Sequence, residues 1–230
     1  MRIQKITSIY ILAMIALTAA FAQSPKQPKV QPGPGEPNWE DILKTRYGLS
    51  MRGDLANRVE TTVEAVPGLF QKAGDGPVKF TPLIALGLET TTRGGWYAPG
   101  AKADAPHKHN LWSYKYKNTA SDLEHEKNLP PPLLEGSSTM FDPGREPFGL
   151  WISNDGFDDG GVYTQPSVVA AINKRLAKQP YKAMIYPVKD KATDMIIPNA
   201  YLIGWEYSTN DDFQDVVCRV DNVVLTPKKH

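Results

Sequence analysis

From Trp205 to Val217 the chain reads Trp-Glu-Tyr-Ser-Thr-Asn-Asp-Asp-Phe-Gln-Asp-Val-Val, so that a strand-like segment runs into a stretch dense in oxygen ligands and then into a second strand-like segment. Hard cations such as calcium collect about six to eight oxygens, and a short loop carrying several carboxylates can present many of them. Glu206, Asn210, Asp211, Asp212 and Asp215 are the candidate ligands. The same composition also suits a solvated hairpin, because Asp and Asn accept turn conformations readily. Both readings stand at the level of sequence.

A second acidic stretch, Asn154-Asp155-Gly156-Phe157-Asp158-Asp159-Gly160-Gly161, adds Asp155, Asp158 and Asp159. If the fold brings the two loops to one end, these carboxylates can join the first set around one site or two. The alternative is a plain glycine-rich loop. EF-hand spacing is absent here, because the closing glutamate is missing.

Aromatic residues suggest a second chemistry. In Trp112-Ser113-Tyr114-Lys115-Tyr116-Lys117 the alternation places Trp112, Tyr114 and Tyr116 on one strand face, expected to be a core face, and the lysines on the other. Trp96 and Tyr97 lie between Gly94-Gly95 and Pro99-Gly100, a loop-like setting. They are the candidate ligand platform, since an exposed aromatic ring can stack on a sugar. His107 and His109 lack the further ligands of a transition-metal site. The chain contains neither a Gly-x-Ser-x-Gly elbow nor a His-Glu-x-x-His pair. A glycosidase would need Glu206 and one of Asp155, Asp159 or Asp215 across a cleft, whereas their clustering favours a metal.

The elements that must position these groups are mostly strands. Candidates are Val78 to Glu89, Asn110 to Lys117, Phe148 to Ser153, Tyr181 to Val188, Ala200 to Tyr207 and Val216 to Leu225, separated by Gly-, Pro-, Asn- and Asp-rich segments. Pro82 makes the first of them an edge or a bend. A short helix carrying Trp39, Ile42 and Leu43 is expected near the start, and another over Ser167 to Lys178. No βαβ alternation or glycine-rich phosphate loop is present, which disfavours nucleotide-binding α/β folds. The predicted fold is therefore all-β, an antiparallel β-sandwich of jelly-roll-like type with one or two short peripheral helices. Cys218, the single cysteine, sits in a valine-rich run and reads as a buried apolar residue.

With Glu206, Asn210, Asp212 and Asp215 in this order before Val216-Val217, the C-terminal part resembles secreted bacterial β-sandwich domains of the DUF4114 type, with Phe213 where those domains have tyrosine. The resemblance spans Phe148 to Leu225 and implies a calcium-binding loop. The whole chain also resembles exported proteins of environmental bacteria.

The N-terminus agrees with export. Met1-Arg2-Ile3-Gln4-Lys5 is basic, Ile6 to Ala20 is apolar, and Ala20-Phe21-Ala22 supplies small residues for cleavage, so residues 1–22 read as a signal peptide. Losing Arg2 and Lys5 takes the formal charge from +1 to −1, a balance that draws the protein neither to nucleic acid nor to membranes. Residues 23–37 read as a disordered proline-rich linker, 38–54 as a helical lead-in and 55–227 as a single sandwich domain. The expected function is that of a secreted or periplasmic noncatalytic binding module, stabilised by calcium and recognising polysaccharide or a cell-surface glycan. The alternatives are a structural component of the cell surface or matrix and a polysaccharide hydrolase.

Overall fold

The computed structural model describes residues 39–51, 65–86, 90–115, 129–157 and 159–227. The predicted signal and linker, Tyr116 and Asp158 lie outside them. In chain order the elements are α1 (Trp39–Arg46), β1 (Leu49–Met51), β2 (Ala65–Lys72), β3 (Val78–Ala85), β4 (Thr91–Ala98), β5 (His107–Lys115), β6 (Met140–Phe141), β7 (Gly149–Asn154), β8 (Val162–Tyr163), α2 (Pro166–Ile172), β9 (Ala183–Asp190), β10 (Ile196–Trp205), β11 (Val216–Asp221) and β12 (Val223–Pro227). Three antiparallel sheets result: β1-β9-β10-β11-β3-β6, β5-β4-β7-β8 and the ribbon β12-β2. The all-β, sandwich-like prediction agrees with this architecture. No described helix is long and apolar enough to cross a membrane.

The six-stranded sheet is buried on both faces, which explains why β9, β10 and β11 read as continuous apolar runs. Ile203 lies opposite both Ile185 and Cys218, and all three face the core shared with the four-stranded sheet. The next positions, Leu202, Tyr186 and Val217, belong to a second core on the reverse face. Across the first core Phe80 meets Trp112 with ring centroids 5.3 Å apart. Trp112 and Tyr114 are buried there, as the alternation predicts.

The reverse face is covered by α1. Its Trp39, Ile42 and Leu43 fall at helical spacing and are buried, with Trp39 6.1 Å from Tyr186. Eight residues make a marginal helix alone. The acidic first turn and the Glu40–Lys44 ion pair (3.0 Å) support it locally, and the sheet supplies the rest. The lead-in segment is thus built into the sandwich, because β1 pairs with the edge of β9.

Pro82 sits where the sequence reading placed it. β6 pairs only with Val78 and Lys79, so Pro82 needs no partner on that side, and β11 shifts register beside it between Val217 and Cys218.

One expectation is corrected here. Trp96 and Tyr97 do not lie in a loop but, with Gly94-Gly95, in β4, and His107 to His109 begin the neighbouring β5. A Cβ on Gly94 would come within 2.1 Å of the Trp112 indole, so this glycine lets the ring lie flat against the strand. Trp96 is half-buried and its ring stacks with His109 at 4.0 Å and with Phe141 at 5.5 Å. Tyr97 is fully buried, and its hydroxyl donates to Gln165 Oε1 (3.0 Å).

Candidate metal centre

The β10–β11 hairpin pairs through Trp205 and Val216. Just beyond, the Glu206 N–H donates to Lys182 O (3.1 Å) and the Leu86 N–H to Asp215 O (3.1 Å). The loop 206–215 therefore closes the end of four adjacent strands, β9, β10, β11 and β3. It is folded back by Phe213, whose buried ring joins the reverse-face core. Gly204 permits this return, since a Cβ there would lie 2.6 Å from Phe213 O. Asp211 and Phe213 both have positive φ, 62° and 55°. Asp tolerates that conformation; for Phe it is strained and is held by the burial of the ring.

The effect of these two left-handed residues is to turn backbone N–H groups toward Glu206. Its Oε2 accepts from the Asp212 N–H (3.2 Å) and, more distantly, from the Phe213 N–H (3.5 Å), while Oε1 accepts from the Ser208 N–H. Asp215 Oδ2 accepts from the Tyr207 N–H (2.6 Å), and Asp212 accepts from the Gln214 N–H (3.3 Å) and the Asn210 side-chain amide. Glu206, Asp212 and Asp215 each offer one carboxylate oxygen to a cluster in which these atoms lie within 4.8 Å of one another. This triad can hold a metal ion. These hydrogen bonds fix the orientation in which the three carboxylates face one another.

The electrostatics are those of a crowded, dry site. Burial, reinforced by the Asp215 charge, pushes the Glu206 carboxyl up to about 7, outweighing the donors that favour its ionised form. Lys182 is fully buried in the same region. Its ammonium donates to Ser208 O (2.6 Å) and stands 3.7 Å from Asp211 Oδ1, and desolvation pulls its pKa down. Sequence reasoning missed Lys182. The available signal was a lone cation preceding an apolar run that has no solvent face.

Among the eight metal candidates, the structure brings Glu206, Asp212 and Asp215 together, with Asn210 bonded to Asp212 and Asp211 turned to Lys182. The second acidic loop reaches the same end of the molecule, where Phe157 stacks on Tyr207 (5.9 Å). Its two described carboxylates, Asp155 and Asp159, go elsewhere. Asp155 forms a two-pronged pair with Arg93, which holds its carboxyl below the usual range. Asp159 pairs with Arg175, whose Nη2 also donates to Tyr207 O (2.7 Å). Comparison of the chain with protein families, with curated proteins and with solved structures finds no match in any of the three.

Proposed function

We propose that this protein is an exported, noncatalytic β-sandwich module whose loop end binds calcium. The observation that carries the reading is the convergence of the Glu206, Asp212 and Asp215 carboxylates on a hairpin end fixed by two cores. Donors that are all oxygen suit a hard cation; zinc and copper sites draw on His or Cys, and this cluster has neither. Three carboxylates so close repel one another, and a divalent cation removes that repulsion. Export rests on residues 1–22 and places the module in the periplasm or outside the cell, where the resemblance to secreted DUF4114-type domains also points.

The noncatalytic part of the reading has a geometric basis. Glu206 is fully buried and tied to backbone N–H groups, while Asp155 and Asp159 are engaged by arginines, an arrangement ill suited to two carboxylates flanking a glycosidic bond. A second reading is favoured by Lys182: its buried ammonium acts as the internal counter-ion, and the loop is a metal-free structural staple.

Thermal melting separates the two. With calcium bound at a hundredfold excess over its dissociation constant, the native state gains about 2.7 kcal/mol, and EDTA removes that gain. Asp212→Asn and Asp215→Asn abolish the response. Identical melting of the wild type in EDTA and in millimolar calcium gives the site to Lys182 instead.

A further inference from the structure

We propose that the open cleft between Gly156, Phe157 and Asp159 on one side and the end of α2 and the turn after it on the other binds the carboxylate-bearing sugar units of an acidic polysaccharide. This goes beyond the cation site and does not depend on it. The cleft has a volume of about 550 Å³ and is lined by Gly156, Phe157, Asp159, Ile172, Lys174 and Arg175, a size within the roughly 300–1,000 Å³ of small-ligand sites.

Its chemistry divides into three parts. The first is a pair of cations. Arg175 is held from two sides: Nε donates to Asp159 Oδ2 (3.0 Å), Nη2 reaches Asp159 and Tyr207 O, and its Cζ stands 4.6 Å from the Phe157 ring centre. These contacts use Nε and Nη2, and Nη1 makes no bond among the described residues. A guanidinium fixed in this way offers Nη1 as a preset, charged donor to a carboxylate oxygen. Lys174 is exposed beside it and makes no ion pair among the described residues, so its charge is available as well.

The second part is apolar. Phe157 and Ile172 are each half-buried and line the cleft, giving the C–H face of a pyranose ring a surface to rest on. The third is an acceptor. Asp159 Oδ1 receives the Gly161 N–H (3.2 Å) and has a further lone pair for a sugar hydroxyl. A bare inorganic anion would use only the first part. A neutral sugar would leave the Lys174 charge unanswered. A uronic acid uses all three, and Trp96 and Tyr97, the sequence candidates for a sugar platform, are committed to other rings and to the core.

The test is calorimetric titration of the full chain in EDTA at low salt with trigalacturonate, and with neutral galactotriose as the counterpart. Trigalacturonate should bind at least tenfold more tightly than galactotriose, and Lys174→Glu, a change at an exposed residue, should weaken it by at least tenfold with the melting temperature unchanged. Phe157→Leu should weaken it less, and added salt should lower the affinity of the wild type. Absence of binding, equal binding of the neutral sugar, or wild-type affinity in Lys174→Glu overturns the assignment. Displacement by an equal concentration of inorganic phosphate also overturns it, since the cleft would then be a general anion site. Because EDTA is present throughout, failure here leaves the calcium reading intact, and failure of the calcium melt leaves this one intact.

Discussion

The two acidic loops lie at one end of the sandwich, are similar in composition, and dispose of their charge in opposite ways. In the 155–161 loop the two described carboxylates, Asp155 and Asp159, reach outward to Arg93 and Arg175, and the pairs remain partly in water. In the 206–215 loop they turn inward, onto backbone N–H groups and against a buried lysine. What separates them is the anchoring of the chain. Phe213 is fully buried in the reverse-face core and drags its neighbours inside, whereas Phe157 is only half-buried on the rim. Acidic composition alone therefore does not gather carboxylates; a core anchor within the loop does, by forcing them together where water cannot screen them.

The sharpest way to break this comparison is to remove the anchors. Phe213→Ala deletes a fully buried ring and releases a strained left-handed residue, and should cost about 3–5 kcal/mol in denaturant unfolding. Phe157→Ala, on the rim, should cost much less. Equal losses would mean that both loops are anchored alike, and the account of Glu206 burial would fall with that result.

The next largest effect is a pH dependence confined to the inner loop. Unfolded Glu206 titrates near 4.5 and the folded carboxyl at about 7. Below 4.5 both states hold the proton and stability is complete. Between these values the folded state retains a proton that the unfolded chain has released, so stability falls as pH rises, by roughly 3 kcal/mol in total, and levels off above 7. The prediction applies to the protein in EDTA, measured by unfolding across that window, with Glu206→Gln removing the slope. Saturating calcium should flatten or reverse it, because the cation favours the ionised carboxyl and displaces the proton. A rise in stability from pH 4.5 to 7 in EDTA, traceable to Glu206, would contradict the buried-carboxyl assignment. The calcium gain itself, about 2.7 kcal/mol at a hundredfold excess, ranks just below.

How far the sequence disclosed this arrangement depends on the element. Strand positions over 78–85, 149–154 and 216–221 were legible from runs of apolar residues between turn formers, and the inward face of β5 from strict alternation. The single strand expected over Val216 to Leu225, however, breaks at Asn222, whose φ is 63°, into β11 and β12 of different sheets. Which side of β9 to β11 faced which core was not legible, because both faces are apolar and Leu202 and Ile203 look alike. Gly94-Gly95 misled for a physical reason: paired glycines usually mark turns, and only the Trp112 ring against Gly94 reveals why a strand needs one. In the site, the carboxylates could be named from their types. Their sorting could not, since it depends on Arg93, Lys182 and Arg175, which are distant along the chain and meet the loops only after folding.

The smallest effect tests the outer loop. Asp155 is about half exposed and its pair with Arg93 is two-pronged, yet exposed ion pairs contribute only about 0–1 kcal/mol after screening and the entropy of holding two side chains. Asp155→Asn keeps a side chain of the same shape, and Asn is as acceptable as Asp in a turn. The variant should therefore lose less than about 1 kcal/mol, lose less still at high salt, where screening already weakens the pair, and respond to calcium as the wild type does. A loss of the calcium response in Asp155→Asn would show that the arginine pair opens to deliver this carboxylate to the metal, and the two loops would then form one site.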